Sequence, residues 1–375
     1  MLTHRKLETS HFLGRMDAKI NLLKNGVVSH THYEVGSGQT PLIQFTFLKV
    51  RKGEGTHIWL DSLYNSDGVI QSHEMEMAPF QDQADYVRVH VQSRDFIPTR
   101  YVQWNQTLRL QPAAILGGKT IWSRFSAQSN VRIHKNIIPG EGSSIWNPFE
   151  YSISDTSMIG LDASFRHILF YRPIESLWES QLGKSGNQRK IVMGTGFEAN
   201  AQKTYWWINR IKVHSSVLVS IEIKSTSRNR DSEFFKNKNF ELRGWEAIPE
   251  IHWMPKNELK LEGRFMLKKE GNLEGDGQEF IFQKGGNFSF TYHTSENSRL
   301  TIGGSAIQVN FEGEANSPLG FALLNGMGKG LNLLWNISLD RQLSETLRLN
   351  LHYEGRKTGI GSPVHIGRAG ILAIF

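Results

Sequence analysis

In Leu347-Arg348-Leu349-Asn350-Leu351-His352-Tyr353-Glu354 an apolar side chain stands at every odd position and a polar or charged one at every even position. A period of two puts one residue class on each face of an extended chain, so the stretch reads as a strand with one apolar and one polar face. The pattern recurs. Leu333, Trp335, Ile337 and Leu339 alternate with Leu334, Asn336, Ser338 and Asp340. Leu259, Leu261, Gly263, Phe265 and Leu267 alternate with Lys260, Glu262, Arg264, Met266 and Lys268. Val217, Val219, Ile221 and Ile223 face away from Leu218, Ser220, Glu222 and Lys224, and Ile121 to Ile133 repeats the rule on odd positions. Soluble sandwiches alternate too. Here the strands are long, roughly 11–15 residues against a usual mode of about 5–6, and their polar face carries charges of both signs, as a wet interior would.

Composition narrows the class. The 375 residues suffice for two or three ordinary domains, or for one barrel with an appendage. No run of about 18 apolar residues exists, which excludes a transmembrane helix. The mean hydropathy of -0.39 fits strands with a single apolar face. Lys and Arg total 43 against 36 acidic residues, and the net charge of +7 is spread through turns and polar faces. No compact basic patch with interleaved aromatics appears, so no nucleic-acid partner is expected. Cysteine is absent, in keeping with an oxidising envelope compartment. The 10 tryptophans suit interfacial girdles.

Alternation places short strands at 18–23, 27–35, 42–50 and 56–60, with Gly36-Ser37-Gly38 as a turn, and resumes at 85–92 after a turn-rich loop. Longer strands follow at 101–111, 119–134, 157–171, 189–200, 204–213, 216–227, 241–253, 257–268, 279–293, 299–312, 330–340, 345–355 and 363–375. Short connections (His214-Ser215, Pro255-Lys256, Thr294–Ser298, Arg341–Ser344) alternate with longer ones (Lys135–Thr156, Arg228–Phe240, Lys269–Gln278, Gly313–Lys329), with Arg172–Gln188 breaking the rule. Outer-membrane barrels distinguish their two ends in this way. Gly303-Gly304, where the apolar phase shifts from Ile302 to Ile307, predicts a β-bulge.

One local motif carries chemistry. Asp61-Ser62-Leu63-Tyr64-Asn65-Ser66-Asp67-Gly68-Val69-Ile70-Gln71-Ser72-His73-Glu74 resembles the EF-hand and dockerin-type calcium loop. Calcium takes about six to eight oxygens on a tightly curved backbone, with Gly at the sharp turn and a carboxylate closing the shell. The resemblance makes Asn65, Asp67, the Val69 carbonyl, Gln71 and Glu74 ligands and predicts calcium as cofactor. The first position is Leu63, which binds no cation, and Asp61 replaces it only in an enlarged loop. The bland reading is a metal-free turn rich in Asn, Asp and Gly. Enzyme motifs are missing. There are 14 His but no H-E-x-x-H and no G-x-S-x-G, and Glu74 with Glu76 reads as a solvated carboxylate pair.

The D-G-x-x-x-x-x-E loop, the run Glu74-Met75-Glu76-Met77-Ala78-Pro79-Phe80-Gln81-Asp82-Gln83-Ala84-Asp85-Tyr86-Val87-Arg88-Val89, Tyr353-Glu354-Gly355-Arg356 and Val364-His365-Ile366-Gly367 together resemble a family of large, uncharacterised outer-membrane β-barrel proteins of Bacteroidota-type bacteria, chiefly over 55–112 and 189–375. The family implies location and fold and brings no catalytic residues. The expectation is an all-β chain: an antiparallel transmembrane β-barrel of about 14 strands, or part of a larger barrel, over 85–375, after an N-terminal β-rich segment at 1–84 that carries the degenerate calcium-type loop. Met1–Glu8 shows no signal-peptide arrangement, so a longer parent protein is expected. The last strand ends on an aromatic, Phe375, as the closing strand of such a barrel does. This predicts recognition by the barrel assembly machinery through Phe375 and contact with outer-membrane lipid and lipopolysaccharide. A structural or passive transport role follows. The alternatives are a secreted or surface all-β calcium-dependent binding protein, and a barrel hydrolase acting on lipid or peptide.

Overall fold

The computed structural model describes residues 11–118, 120–140, 145–172, 177–193, 196–233, 235–273, 279–294 and 297–373. Phe375 and the first ten residues lie outside these. The described chain is all-β. It runs β1 (Leu13–Leu22), β2 (Val27–Lys49), β3 (His57–Trp59), β4 (Met75–Met77), β5 (Tyr86–Leu110), α1 (Pro112–Leu116), β6 (Phe125–Ile137), β7 (Met158–Tyr171), β8 (Trp178–Met193), β9 (Gly196–His214) and β10 (Val217–Ser232). Then come β11 (Phe240–Lys256), β12 (Leu259–Asn272), β13 (Phe280–Thr294), β14 (Ser298–Glu312), α2 (Pro318–Leu324), β15 (Gly330–Ser344), β16 (Leu347–Lys357) and β17 (Val364–Ala373). Of the seventeen strands among the described residues, β3 and β4 have only three residues each, which leaves fifteen long ones instead of about fourteen. No described helix is long and apolar enough to cross a membrane.

Four expectations need correction. Gly36-Ser37-Gly38 is no turn: β2 passes through it in unbroken register with β5, from Val27↔Leu110 to Pro41↔Phe96. Gly36 is there for space, since a Cβ would lie 2.9 Å from Tyr101 Oη, whose hydroxyl donates to Glu34 at 3.0 Å. Residues 85–92 and 101–111 are likewise one strand, β5. The supposed loop Arg172–Gln188 contains Trp178 to Gln188, the larger part of β8. Apart from Trp178 and Leu182 its residues up to Gln188 are polar or small, so no sustained apolar period marks it. Gly186 lets the Phe165 ring lie across it, where a Cβ would sit 2.5 Å from Phe165 Cε1. Gly303-Gly304 forms no bulge, because the registers Gly304↔Phe288 and Gly304↔Trp335 run on without a shift. Gly304 instead underlies the Phe288 ring, 2.6 Å from where its Cβ would stand. The phase changes because Ile307, Val309 and Phe311 turn to the opposite face and are buried.

The chain divides into two compact units, Met1–Tyr171 with Gly183–Tyr205 and Ser227–Glu241, and Arg172–Leu182 with Trp206–Thr226 and Leu242–Phe375. In the first, β1, β2, β5, β6 and β7 form an antiparallel meander. Its core holds Val35, Val102, Ile133, Ile137, Met158, Leu161 and Ala163, covered by Ile145 and Tyr151 of the β6–β7 connection. Lys135 shares the cross-strand row Val35↔Val102↔Lys135↔Leu161 and is fully buried. Its ammonium donates to the carbonyls of Asn147 at 2.8 Å and Glu150 at 2.7 Å. Lys190, also buried, donates to the carbonyls of Ile153 and Asp155, both at 2.7 Å. The two lysines thus hold the connection by its backbone.

In the second unit β11 to β17 pair antiparallel in sequence order. The alternation survives as aligned rows. Trp253↔Leu261↔Phe290↔Ile302↔Ile337↔Tyr353↔Gly367 crosses all seven strands on one face. The adjacent row on the other face holds His252↔Glu262 and Asn336↔Glu354, and Arg368 pairs with Glu354 at 3.7 Å there. On β10, Ile221 is 39% exposed while its neighbour Ser220 is 7% exposed. On this strand the apolar side chains are the more exposed ones and Ser220 is covered. Phe265 and Leu351 are exposed, and Leu259, Leu261, Leu347 and Leu349 are half-buried, so these six form no closed dry core.

Candidate functional site

The connection between β3 and β4 folds around one carboxylate. Asp61 opens a 3₁₀ turn, and its side chain accepts the backbone N–H of Asp67 at 3.1 Å and of Gly68 at 3.0 Å. Those bonds require the chain to reverse sharply, which Ser66 (φ 54) and Gly68 (φ 74) achieve in the left-handed region. Asp67 in turn accepts the Val69 N–H at 2.7 Å and the side-chain amides of Asn65 and Gln71 at 2.9 and 2.8 Å. Gln71 caps the next 3₁₀ turn, and its backbone N–H donates to Glu74 Oε2 at 3.1 Å. Trp59 Nε1–H donates to the same oxygen at 2.8 Å.

This brings together three of the six sequence-predicted ligands. One oxygen each from Asp61, Asp67 and Glu74 lie within 4.8 Å of one another. Asn65 and Gln71 orient Asp67 through their amide N–H groups, and Val69 contributes its N–H. Leu63 stays a half-buried apolar residue, and Asp61 stands in the first place of the enlarged loop. Glu74 is fully buried, and its Oε1 has no hydrogen-bond partner. An all-oxygen set of three carboxylates suits a hard cation.

Glu74 and Glu76 are not the solvated pair the sequence suggested. Two residues on, Glu76 takes different partners. Its carboxylate accepts from Lys238 Nζ at 2.9 Å, from the Tyr64 hydroxyl at 2.7 Å and from Arg230 Nη1 at 3.3 Å. Lys238 lies 5.0 Å over the Tyr64 ring, and His73 stacks on Phe235 at 4.6 Å. Burial alone would raise the Glu76 carboxyl, but Lys238, Arg230 and the Tyr64 hydroxyl together hold it below the usual carboxylate range. Burial, with the neighbouring Arg230 charge adding to it, lowers the Lys238 ammonium despite Glu76. Burial, then Glu76, raises the Tyr64 phenol. Sequence reasoning missed Trp59, Tyr64, Glu76, Arg230 and Lys238. The only local hint was the density of ionisable and aromatic residues over 57–76.

A hydrolase would need a serine on an imidazole. In the second unit Ser220 Oγ donates to Glu250 Oε2 at 3.4 Å, while His252 contacts Glu250 at 3.3 Å and Glu262 at 2.8 Å. At Ser220 the hydroxyl meets the acid and not the base, whereas Ser129 Oγ lies 2.9 Å from His167 Nδ1 and Ser216 Oγ 2.9 Å from His214 Nδ1. No family model matches the chain, and no curated protein matches it.

Proposed function

We propose that the chain is an outer-membrane β-barrel protein with a structural or passive translocation role, and that 85–375 supplies most of its membrane-spanning strands. One observation carries the reading: along β10 and along one cross-strand row of the second unit, large apolar side chains are exposed. Val219, Ile221 and Ile223 stand out from β10 while Ser220 between them is covered, and Trp253, Ile337 and Tyr353 are exposed along a single cross-strand row. In water such a face is a large liability. In a bilayer it is the solvent-facing surface, and the charged face becomes the wall of a polar interior. The ion pairs Lys224–Glu246 (2.8 Å) and Glu179–Arg210 (2.9 Å) on the covered face suit a wet lumen. The reading requires the sheet to close on itself, because an open edge in lipid would leave backbone groups unsatisfied. The partners are then outer-membrane lipid and lipopolysaccharide, with assembly directed through Phe375.

Single cysteines at Ile221 and Ser220, each carrying a spin label, test the reading in reconstituted vesicles. The label at 221 should report contact with lipid-soluble oxygen, and the label at 220 should respond to a water-soluble relaxant. Equal exposure of both labels to water, or a protein that stays soluble and monomeric without detergent, would overturn it.

A further inference from the structure

We propose that Asp61, Asp67 and Glu74 form a binding site for one divalent cation of the calcium class, and that the cation fixes the strand presenting Glu76 to Lys238 and Arg230. The inference stands apart from the membrane reading, since it rests on a connection between short strands.

Two independent observations support it. The first is convergence. Three carboxylates, formally carrying three negative charges, place oxygens within 4.8 Å of one another. A shell at the about 2.3–2.6 Å distance that calcium prefers spans that separation. The second is Glu74 itself. It is fully buried, Trp59 and the Gln71 N–H occupy Oε2, and Oε1 has no partner. A buried charged oxygen without a partner is rare in a native fold. Protonating Oε1 would exchange an unpaired acceptor for an unpaired donor. A cation satisfies it. The nearby cations do not: Lys238 and Arg230 bond Glu76. The ligand set contains no nitrogen or sulfur, which favours a hard cation over zinc or copper. Asp61 and Asp67 keep lone pairs beyond the N–H bonds they accept, and water completes the six to eight oxygens calcium takes.

The link to Glu76 is geometric. Glu74, Met75 and Glu76 are consecutive, Met75 is buried, and the two glutamates have separate partner sets. Whatever fixes Glu74 fixes the register in which Glu76 meets Lys238.

Trp59 provides the probe. Its indole nitrogen is 2.8 Å from Glu74 Oε2, so a terbium ion bound at the three carboxylates should show tryptophan-sensitised emission. The full chain, folded in detergent micelles, is titrated with terbium and then with calcium as competitor, and calcium binding is measured in parallel by calorimetry. The expected result is one site, emission displaced by calcium, and a calcium Kd of the order of 10⁻⁴–10⁻³ M seen in extracellular modules. Asp67→Asn, at an exposed position, should weaken calcium at least tenfold. Trp59→Phe should abolish most emission while calorimetry still detects calcium. Calcium should also slow proteolysis within 59–77 in the wild type and not in Asp67→Asn. A folded wild type that gives neither calcium heat nor terbium emission overturns the proposal. So does an Asp67→Asn variant that binds calcium as tightly as the wild type.

Discussion

Lys238 Nζ lies 2.9 Å from Glu76 Oε1, and 162 positions separate the two residues in sequence. The ammonium is 3% exposed and the carboxylate 13%. The pair joins β4 to the short segment between β10 and β11. Removing one partner of a buried pair leaves the other charge desolvated, which typically costs about 3–5 kcal/mol. Lys238→Met should fall at the low end, about 3 kcal/mol, because Arg230 still faces Glu76 at 3.3 Å. Urea unfolding of Lys238→Met, Glu76→Gln and the double variant should give a coupling of at least about 1 kcal/mol. Additive losses would mean the contact contributes nothing specific.

The same contact makes the first unit sensitive to acid. Glu76 is held below its ordinary value of 4.5, so folding favours its ionised form. The stability it contributes is complete above the unfolded value and is lost as pH falls through the lowered folded one. His57, lowered from 6.5 first by burial and then by Arg88, acts in the same direction at higher pH. Below 6.5 the unfolded imidazole charges before the folded one does, and stability declines. Thermal midpoints should drop as pH falls from 7 towards 5, and again below 4.5. Glu76→Gln should flatten only the second fall, and His57→Gln only the first.

Lys135 and Lys190 hold the β6–β7 connection by four carbonyls. Replacing either with Met keeps the apolar stem and removes two hydrogen bonds to backbone carbonyls, at about 1–3 kcal/mol. Limited proteolysis should open 145–157 in either variant while the strands stay protected. An uncut connection in both variants would show that the core residues Ile145 and Tyr151 suffice to hold it.

Much of the strand order was legible because one physical rule governs it: a strand between unlike environments must alternate. That is why Leu347–Glu354 and Leu259–Lys268 read correctly. The rule fails where a strand has little apolar content to alternate, as in β8, whose Gln181-Leu182-Gly183-Lys184-Ser185-Gly186 run reads as a loop. It also fails where glycine makes room for a ring, as Gly36 does for Tyr101. At the site, Asp61, Asp67 and Glu74 were legible because fourteen consecutive residues contain them and their loop closes locally. Asn65 and Gln71 were visible as polar loop residues, but their work of orienting Asp67 depends on backbone geometry. Lys238 and Arg230 left no trace in the local pattern, because only the fold brings them to Glu76.

Gly355 and Gly367 make a matched test of aromatic packing. Gly355 lies under the Trp335 indole with no room for a Cβ, whereas a Cβ at Gly367 would meet nothing within 4 Å. Gly355→Val should displace Trp335 and destabilise by about 1–3 kcal/mol through overpacking. Gly367→Val should be neutral or slightly stabilising, since valine suits a strand better than glycine does. Urea midpoints with tryptophan fluorescence separate the two. Equal effects would mean that backbone propensity, and not the indole, sets the preference for glycine at Gly355.

Ile337 and Asn336 are neighbours at the middle of β15 on opposite faces, and an arginine at each asks what lies beyond the sheet. Asn336 is opposite Glu354 in register on one side and Gly303 on the other. Asn336→Arg therefore has room over the glycine and an acceptor across the strand, and it should be tolerated in any setting. Ile337 is 43% exposed in the row that includes Ile302 and Tyr353. On a water-facing surface Ile337→Arg would change stability by no more than about 0.5 kcal/mol. At the midplane of a bilayer it should cost about 2–4 kcal/mol. The measurement is reversible unfolding from vesicles into urea for the wild type and both variants. A cost near 3 kcal/mol at 337 with none at 336 is the outcome the lipid-facing assignment requires. A silent Ile337→Arg would place that face in water and remove the main support for the membrane reading.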